Sequence, residues 1–387
     1  MRLAVPRTVG MGLVLLLAGY VFWGAPQLAG PGLPPPGNAG QVPEFSLPRG
    51  PLHPQPCEAF VGIMSQQGVH DLTGITTFAE KTAYSPRAYQ FSQGWENDAF
   101  NAGDLDAVAR LGALPIVAWE PWDYSIEPDA DSLRGLQPKY RLSRIIDGSF
   151  DPYVRSWARG IKGLDYTVAI RFAHEMNGYW YPWAEQANGN RRGEYVLAWR
   201  HVHDIFEAEG ATNVVWIWSP NISYENSTPL IGLYPGDDYV DWIGFSGYYG
   251  TVGNESYKSF DELFAPSIAE VSRFTRKPIV IAETGAADDA GRKAEWISQL
   301  FESLPRHPEV IGVVWFEGTG LADWRVTTSA AASAAFAEGV ADPRYRVAWQ
   351  RWGGEPRSAG VVASCDYPAA GRIAMLPAKA PGTTSQS

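Results

Sequence analysis

The chain has 387 residues, 45% of them hydrophobic and 19% charged, which suits a globular protein with a large core. Its net charge of −11 at pH 7 argues against nucleic acid or an anionic polymer as a partner, and a neutral substrate fits better. Aromatic residues make up 13% of the chain, and rings beside polar groups at strand ends would stack on flat neutral ligands such as sugars.

The amino-terminal segment, residues 1–25, predicts export. Arg2 and Arg7 precede a hydrophobic run that ends near Ala25, which is the pattern of a secretory signal or of an uncleaved signal anchor. The cleavage pattern is poor because Trp23 stands two positions before Ala25, and this favours an anchor with its basic end inside the cell. We therefore expect a secreted or extracytoplasmic protein, tethered to the membrane if the segment is retained.

Composition divides the remaining chain into a linker, one domain and a tail. Residues 26–56 are rich in Pro and Gly and predict a semi-extended linker, residues 57–369 form the domain, and residues 370–387 form a flexible tail. The only two cysteines, Cys57 and Cys365, lie at the edges of the domain, where an oxidising compartment would favour a disulfide. No cluster has the spacing of metal ligands, so we expect neither a metal nor another cofactor.

Eight short apolar runs recur along the domain, and most are rich in β-branched or aromatic residues, as buried parallel strands are. They cover residues 59–65, 88–93, 114–119, 166–173, 213–219, 240–246, 278–282 and 310–316. Helical patterns fill many of the gaps, most clearly at 103–112, 191–210, 260–275, 289–304 and 327–338. The gap after the fifth run has no convincing long helix.

This alternation of strand and helix predicts a (β/α)8 TIM barrel of the α/β class, a fold that usually needs about 250 residues or more. An open doubly wound sheet would need a Gly-rich phosphate loop after the first strand, and residues 64–71, MSQQGVHD, do not supply one. In a barrel, the carboxyl ends of the strands carry the functional residues, which therefore converge on one cleft.

The carboxyl end of the fourth run carries charged residues among aromatic ones. Residues 170–183 read IRFAHEMNGYWYPW, so that His174 and Glu175 directly follow a strand. Glu283 directly follows the seventh run, three strands further around the barrel. Hydrolysis of a glycosidic bond requires two such carboxyls, one to protonate the leaving oxygen and one to attack the anomeric carbon or activate water. No Ser-His-Asp order or cofactor loop competes with this interpretation.

The segment around Glu175 resembles the acid/base motif of glycoside hydrolase family 26, whose members are (β/α)8 barrels with catalytic Glu residues on strands 4 and 7. In that family a His precedes the acid/base and a Trp follows it by five positions, as His174 and Trp180 do here. The resemblance covers roughly residues 58–345 and continues in WIWSPN (216–221), DWIGFSGYY (241–249), IAETG (281–285) and DWR (323–325). Ser246 departs from the family, whose members often have Asp at this position.

The resemblance implies a retaining mechanism in which Glu175 is the general acid/base and Glu283 is the nucleophile. It also implies that Tyr248 hydrogen-bonds the nucleophile, that His174 helps to hold the sugar, and that Trp180 lines the cleft.

Electrostatics sets matching requirements for the pair. The acid must be protonated near neutral pH, so Glu175 needs apolar surroundings that raise its pKa. The nucleophile must stay ionised, so Glu283 needs donors, for which Tyr248 and Arg171 are the candidates. An alternative interpretation of Arg171, equally well supported, is a barrel-interior ion pair without substrate contact. A structural histidine is the alternative for His174.

Four further residues complete the candidate set of substrate-binding residues. Trp119 and Glu120, in the stretch WEPW, are predicted to form a third wall of the cleft, where Glu120 binds a sugar hydroxyl or caps the following loop. Asn221 has the same two interpretations. For Trp315, sugar stacking and core packing explain the sequence equally well.

The leading hypothesis is an exported retaining endo-β-glycosidase, a monomer that acts by double displacement on β-mannan, mixed-linkage β-glucan or β-xylan. The stretches WEPW and WYPW favour glucan or xylan, whereas mannan is the commonest substrate of the family. One alternative is a non-hydrolytic carbohydrate-binding barrel, which would require the loss of one Glu although both are present. Another is an envelope-tethered processing factor for a secreted exopolysaccharide.

Overall fold

A computed structural model describes residues 47, 49 and 52–351, except 97–98, 124, 127–134, 251–255, 289–290, 321 and 348. The predicted signal or anchor, most of the predicted linker, Cys365 and the tail lie outside the described residues. Within the described part, no helix is both long enough and apolar enough to cross a membrane.

The strands and α-helices of the described chain alternate along most of its length. The strands are β1 (Leu52–His53), β2 (Phe60–Ser65), β3 (Ala88–Gly94), β4 (Leu114–Glu120), β5 (Val168–Phe172), β6 (Val214–Trp218), β7 (Trp242–Tyr249), β8 (Ile279–Ala286), β9 (Val310–Glu317) and β10 (Gln350–Arg351). The helices are α1 (Thr73–Thr82), α2 (Ala102–Ala109), α3 (Leu142–Ile146), α4 (Asp151–Lys162), α5 (Glu194–Glu209), α6 (Phe260–Val271), α7 (Lys293–Ser303) and α8 (Ala330–Val340).

Strands β2 to β9 close into a parallel barrel in sequential order, with β2 paired to both β3 and β9. These eight strands match the eight predicted runs, so the prediction of a (β/α)8 TIM barrel is confirmed. The fourth and seventh barrel strands are β5 and β8. Between β6 and β7, where the sequence has no helical pattern, the described chain forms only short 3-10 helices at Leu230–Leu233 and Asp237–Tyr239.

Local sequence signals set several helix ends. Ser259 caps α6 in a capping box with Glu262, in which each side chain hydrogen-bonds the backbone N–H of the other residue. Helix α5 lies between Gly193 and Gly210, whose φ angles of 88° and 74° favour glycine because it has no Cβ.

The prediction that Trp119 forms a wall of the cleft is wrong. Its side chain is fully buried, and its ring lies 5.2 Å from Trp157 of α4 and 5.9 Å from Phe206 of α5, measured between centroids. Side chains alternate along a strand, so Trp119 faces the helices and its neighbour Glu120 faces the barrel interior.

Trp315 on β9 also belongs to the core. Its fully buried ring lies 6.0 Å from Trp296 of α7 and 5.8 Å from Phe336 of α8, and its indole N–H donates to the carbonyl oxygen of Trp324 at 3.0 Å. Of its two interpretations, core packing is the one that the structure supports, and stacking on a sugar is excluded because the outer face of the strand carries the side chain.

Part of the segment predicted as a linker is packed on the domain. Strand β1 pairs with β10 in an antiparallel arrangement, and Leu52 is only 1% exposed. A leucine within the Pro-rich segment can be buried in this way because it offers a large apolar side chain. Cys57 is not a free thiol, but Cys365 lies outside the described residues, so the Cys57–Cys365 disulfide stays a prediction.

Candidate active site

Glu175 follows β5 in a strained stretch of backbone. The φ angle is 44° at Ala173 and 55° at Glu175, in the left-handed region that non-glycine residues seldom occupy. The backbone N–H of Glu175 donates to the Ser219 carbonyl oxygen at 2.7 Å, which joins this stretch to the end of β6. Strain of this kind persists only where the surrounding structure fixes the backbone, and it is concentrated at functional sites.

Trp180 orients the Glu175 carboxyl. Its indole N–H donates to Oε2 of Glu175 at 2.9 Å, and its ring stacks on Tyr224 with 6.0 Å between centroids. Gly178 leaves room for the ring, because a Cβ at this position would lie 2.5 Å from ring atoms. Trp180 thus has a direct contact with the predicted acid, and its contact with substrate stays a prediction.

Glu283 on β8 accepts two strong hydrogen bonds. Oη of Tyr248 donates to Oε1 at 2.5 Å, as the resemblance implied, and Nη1 of Arg171 donates to Oε2 at 2.6 Å. The Arg171 side chain is fully buried, whereas the Glu283 side chain is 17% exposed. Charge-assisted bonds stabilise a carboxylate and fix its orientation. The carboxylate is therefore held firmly and remains accessible from the cleft.

The Arg171 guanidinium links the two sides of the site. Besides Glu283, it donates to the hydroxyls of Ser219, at 2.8 Å, and Ser246. The Ser246 hydroxyl also hydrogen-bonds Glu175. Both interpretations of Arg171 therefore hold in part. It donates to the predicted nucleophile Glu283, and it does so as one member of an ion pair inside the barrel.

The same surroundings set the protonation of the acid. Burial raises the pKa of Glu175, and the negative charge of Glu283 raises it further, while Arg171 opposes the shift. Burial also holds the pKa of His174 well below its usual range, with Arg171 acting in the same direction, so the imidazole is neutral near pH 7. Glu175 therefore has the environment that a proton donor requires.

His174 lies in an aromatic corner of the site. Its Nε2 is 3.3 Å from Oη of Tyr181, and its carbonyl oxygen accepts the Trp183 indole N–H at 2.6 Å. Nδ1 is buried and has no hydrogen-bond partner among the described residues. The ring is thus positioned on one side only, and its predicted contact with the sugar stays a prediction.

Glu120 is a third carboxyl in the barrel mouth. It is 3% exposed, accepts the Trp122 indole N–H at 2.7 Å and hydrogen-bonds Ser92. Burial raises its pKa to about 7, with a smaller contribution in the same direction from Glu283. The bond to Trp122 fits the interpretation as a cap of the following loop, and sugar binding stays a prediction.

The structure gathers most of the predicted site residues around one barrel mouth, but not Trp119 or Trp315. The gathered residues are Glu120, Arg171, His174, Glu175, Trp180, Tyr248 and Glu283. Asn221, at the end of β6, is half-buried, and its backbone bonds to the Asn177 side chain and bridges to Ser246. Its predicted side-chain role in substrate binding stays a prediction.

Sequence reasoning missed three residues that support this site. Ser219 and Asn177 carry hydrogen bonds of the barrel mouth, and Trp324 packs against Tyr248 with 4.9 Å between centroids. The serine and the asparagine are small polar residues at strand ends, a signal too common to single them out. Trp324 lies in the DWR triplet, a motif of the family resemblance that by itself predicts no role for the tryptophan.

Fold and site together define a class of (β/α)8-barrel proteins that carry two interacting glutamates at the carboxyl ends of the fourth and seventh strands. Residues 129–297 match the model of Glycosyl hydrolase family 26. This match confirms the resemblance to glycosyl hydrolase family 26 that the motifs indicate.

Curated relatives carry three different activity names. Endoglucanase H of Acetivibrio thermocellus is 35% identical over 242 residues, which are 61% of this chain and 25% of that protein. A Mannan endo-1,4-beta-mannosidase of Bacillus subtilis is 26% identical over 185 residues, 46% of this chain and 45% of that protein. Beta-1,3-xylanase TXYA of a Vibrio species is 28% identical over 224 residues, which are 51% of this chain and 45% of that protein. The chain spans less than half the length of each.

Solved structures support the fold. The GH26 beta-mannanase from Bacteroides ovatus superposes with a TM-score of 0.56 at 16% identity, covering 74% of this chain and 89% of that one. The Bacillus subtilis mannanase BCman superposes with a TM-score of 0.52 at 19% identity, covering 72% of this chain and 84% of that one. At such identities the similarity concerns the barrel alone.

Proposed function

We propose that this protein is a retaining endo-β-glycanase that hydrolyses a β-linked polysaccharide, with Glu175 as general acid/base and Glu283 as nucleophile. One observation carries the proposal. Burial and the Glu283 charge raise the pKa of Glu175, whereas Tyr248 and Arg171 donate to Glu283. Two carboxyls in opposite environments are what an acid and a nucleophile require. The match of residues 129–297 to the family 26 model supports the same class of reaction.

In the first step, a carboxylate oxygen of Glu283 attacks the anomeric carbon from one face of the sugar. Glu175 donates its proton to the glycosidic oxygen as the carbon–oxygen bond breaks, so the leaving chain departs as an alcohol. The Trp180 indole, bonded to Oε2 of Glu175, keeps the acid oriented during this transfer. The product of the step is a glycosyl ester on Glu283.

In the second step, Glu175 is ionised and acts as a base. It takes a proton from water, the water oxygen attacks the anomeric carbon, and the ester bond to Glu283 breaks. Arg171 and Tyr248 stabilise the carboxylate that is released, because both donate to its oxygens. One water molecule is consumed, and both carboxyls return to their initial states.

The substrate that we propose first is a β-glucan. The endoglucanase relative has higher identity over a longer segment, 35% over 242 residues, than the mannanase at 26% over 185 or the xylanase at 28% over 224. The WEPW stretch supports glucan or xylan less than expected, since Trp119 is buried against the helices. β-Mannan and β-1,3-xylan are therefore the competing substrates.

We also propose that the protein is exported and works outside the cytoplasm. The basic and hydrophobic pattern of residues 1–25 supports this location. Cell fractionation with an antibody would detect the protein in the membrane or the medium. Detection in the cytosol alone would contradict export.

The activity test is a screen of the purified protein on mixed-linkage β-glucan, β-mannan, β-1,3-xylan and β-1,4-xylan, with the products separated by chromatography. We expect a mixture of oligosaccharides from one of them, β-glucan first, because an endo-acting enzyme cuts within the chain. The Glu283→Ala variant, purified in the same way, is the negative control for contaminating hydrolases. If the folded wild-type protein releases nothing but binds one of these polysaccharides, the hydrolase proposal fails and a binding barrel replaces it.

A further inference from the structure

We infer that Lys293, the first residue of α7, is a positioning residue for the nucleophile side of the active site. It holds the segment 323–325 in place, so that the Trp324 ring supports Tyr248, the donor to Glu283. The inference rests on the proposed roles of Tyr248 and Glu283, and it assigns a residue that has no direct contact with the reacting groups.

Lys293 occupies a position where a cation is costly. Its side chain is buried, with 1% exposure, at the amino end of a helix, where the helix dipole repels positive charge. Burial also lowers its pKa, against the nearby negative charges of Asp323 and Asp288. A buried ammonium group is tolerated only when strong acceptors compensate its desolvation. The acceptors of the Lys293 ammonium group therefore indicate which part of the structure it stabilises.

Those acceptors are two main-chain carbonyls on either side of Trp324. Nζ of Lys293 donates to the carbonyl oxygen of Asp323 at 2.7 Å and to that of Arg325 at 3.0 Å. The backbone of Trp324 is hydrogen-bonded as well. Its N–H donates to the carbonyl oxygen of Gly318, which follows β9, and its carbonyl oxygen accepts the indole N–H of Trp315 on β9, each at 3.0 Å. The backbone of the segment is thus fixed on both sides.

The fixed segment delivers an aromatic ring to the site. Trp324 is fully buried, and its ring centroid lies 4.9 Å from that of Tyr248. Gly285 on β8 permits this approach, because a Cβ there would already lie 3.2 Å from both Trp324 and Tyr248. Tyr248 in turn donates to Glu283 at 2.5 Å. Loss of the ammonium group would remove its bond to the Asp323 carbonyl, leave the Arg325 carbonyl with the Thr328 hydroxyl at 3.2 Å, and let the ring move away from Tyr248.

The first test needs no substrate. Lys293→Met keeps the length of the side chain and removes the charge, and Arg292→Met is the matched control, because Arg292 is the adjacent residue and its side chain is 38% exposed. We expect hydrogen–deuterium exchange of a peptide covering residues 318–328 to accelerate in Lys293→Met and to match wild type in Arg292→Met. Unchanged exchange in Lys293→Met would show that Lys293 does not hold the segment.

The second test uses the polysaccharide that the wild type hydrolyses in the screen. We expect kcat of Lys293→Met to fall on the order of tenfold with KM little changed, because misplacement of a reacting group slows chemistry more than binding. A role in stability alone would leave kcat of the folded variant unchanged, and that result would overturn the inference.

A conservative variant separates positioning from folding. Lys293→Arg keeps a cation with donors for both carbonyls, so we expect it to restore slow exchange of the segment and most of kcat. If Lys293→Met fails to fold, the same measurements on Lys293→Gln decide the matter. If the wild type hydrolyses no polysaccharide, the proposed function fails, and the exchange experiment still supports or overturns the hold of Lys293 on the segment.

Discussion

At the scale of single residues, Glu175 and Glu283 differ in the groups that reach their carboxyl oxygens. Oε2 of Glu175 accepts an indole N–H in buried surroundings, and both oxygens of Glu283 accept from Tyr248 or from the positive Arg171. Burial and the charge of Glu283 raise the pKa of Glu175 and outweigh the opposing effect of the Trp180 hydrogen bond, whereas Tyr248 and Arg171 fix the position of the Glu283 carboxyl. The division of labour between two identical side chains thus follows from their neighbours.

The acid and the nucleophile should respond differently to truncation. We expect Glu283→Ala to abolish turnover of every substrate, because no covalent intermediate can form. Glu175→Ala should lose about 10²- to 10⁴-fold on polysaccharide but much less on an aryl glycoside with a good leaving group, which needs little protonation. The measurement is kcat/KM of both variants on both substrates. Equal losses on both substrates would contradict the assignment of Glu175 as the acid.

Glu120 should contribute to the fall of activity in alkaline solution. Burial raises its pKa to about 7, so above that pH it adds a second negative charge that acts on both Arg171 and Glu283. We expect Glu120→Gln to make the alkaline limb of the kcat/KM profile less steep, leaving only the loss of the Glu175 proton. Glu302→Gln, at an exposed position of α7, is the control. Identical kcat/KM profiles for wild type and Glu120→Gln would show that Glu120 does not contribute to the loss of activity in alkaline solution.

At the scale of elements, one histidine joins the start of α6 to the start of β9. Nε2 of His307 lies 2.9 Å from Asp261, and Nδ1 lies 3.3 Å from Glu309. The hydrogen bond to Glu309 raises the pKa of His307, with Asp261 acting in the same direction against burial. The pKa of Asp261 is lowered, because bonds from Arg306 and His307 outweigh the effect of burial.

The contribution of His307 to the stability of the fold should be lost in alkaline solution. A raised histidine pKa gives stability that is fully present below the unfolded value of about 6.5 and is lost as pH rises through the folded value. We expect His307→Gln to lower the free energy of unfolding by roughly 0.5 to 1 kcal/mol at pH 5.5 and by much less at pH 9. Denaturant titrations at both pH values measure the difference. The exposed His70→Gln is the control, and an equal loss at both pH values would contradict the ionic contribution.

The elements could be predicted because parallel strands buried on both faces are continuous apolar runs, which stand out in sequence. The same property explains the errors at Trp119 and Trp315. Both faces of such a strand are apolar, so the sequence does not say which face meets the helices and which faces the barrel interior. The orientation of Glu120 and Glu283 could be predicted, because a charged side chain at the end of an apolar strand has to lie where polar groups can hydrogen-bond it.

At the scale of the whole molecule, closure of the barrel is what converts distant residues into a site. Glu175 and Glu283 interact although they lie on different strands, and Lys293 reaches a segment some 30 residues further along the chain. The acid/base motif could be recognised because it is contiguous. The supporting contacts could not, since Ser219, Ser246 and Trp324 approach only after the chain has closed on itself.

The stereochemistry of hydrolysis depends on fold, site and mechanism together. In a retaining enzyme the two carboxyls lie about 5–5.5 Å apart, too close to hold a water against the sugar, so the nucleophile attacks directly. Glu175 and Glu283 interact electrostatically across strands β5 and β8 of one small barrel, so both carboxyls lie at the same barrel mouth.

Two displacements at one carbon restore the starting configuration, so hydrolysis of a β-linked polysaccharide should first release the β-anomer. Proton NMR of the reaction, recorded before mutarotation, distinguishes the anomers. The Glu283→Ala variant supplies the baseline, because it should release no sugar. If the α-anomer appears first, water attacks the sugar directly, and Glu283 is a general base or is paired with the wrong partner.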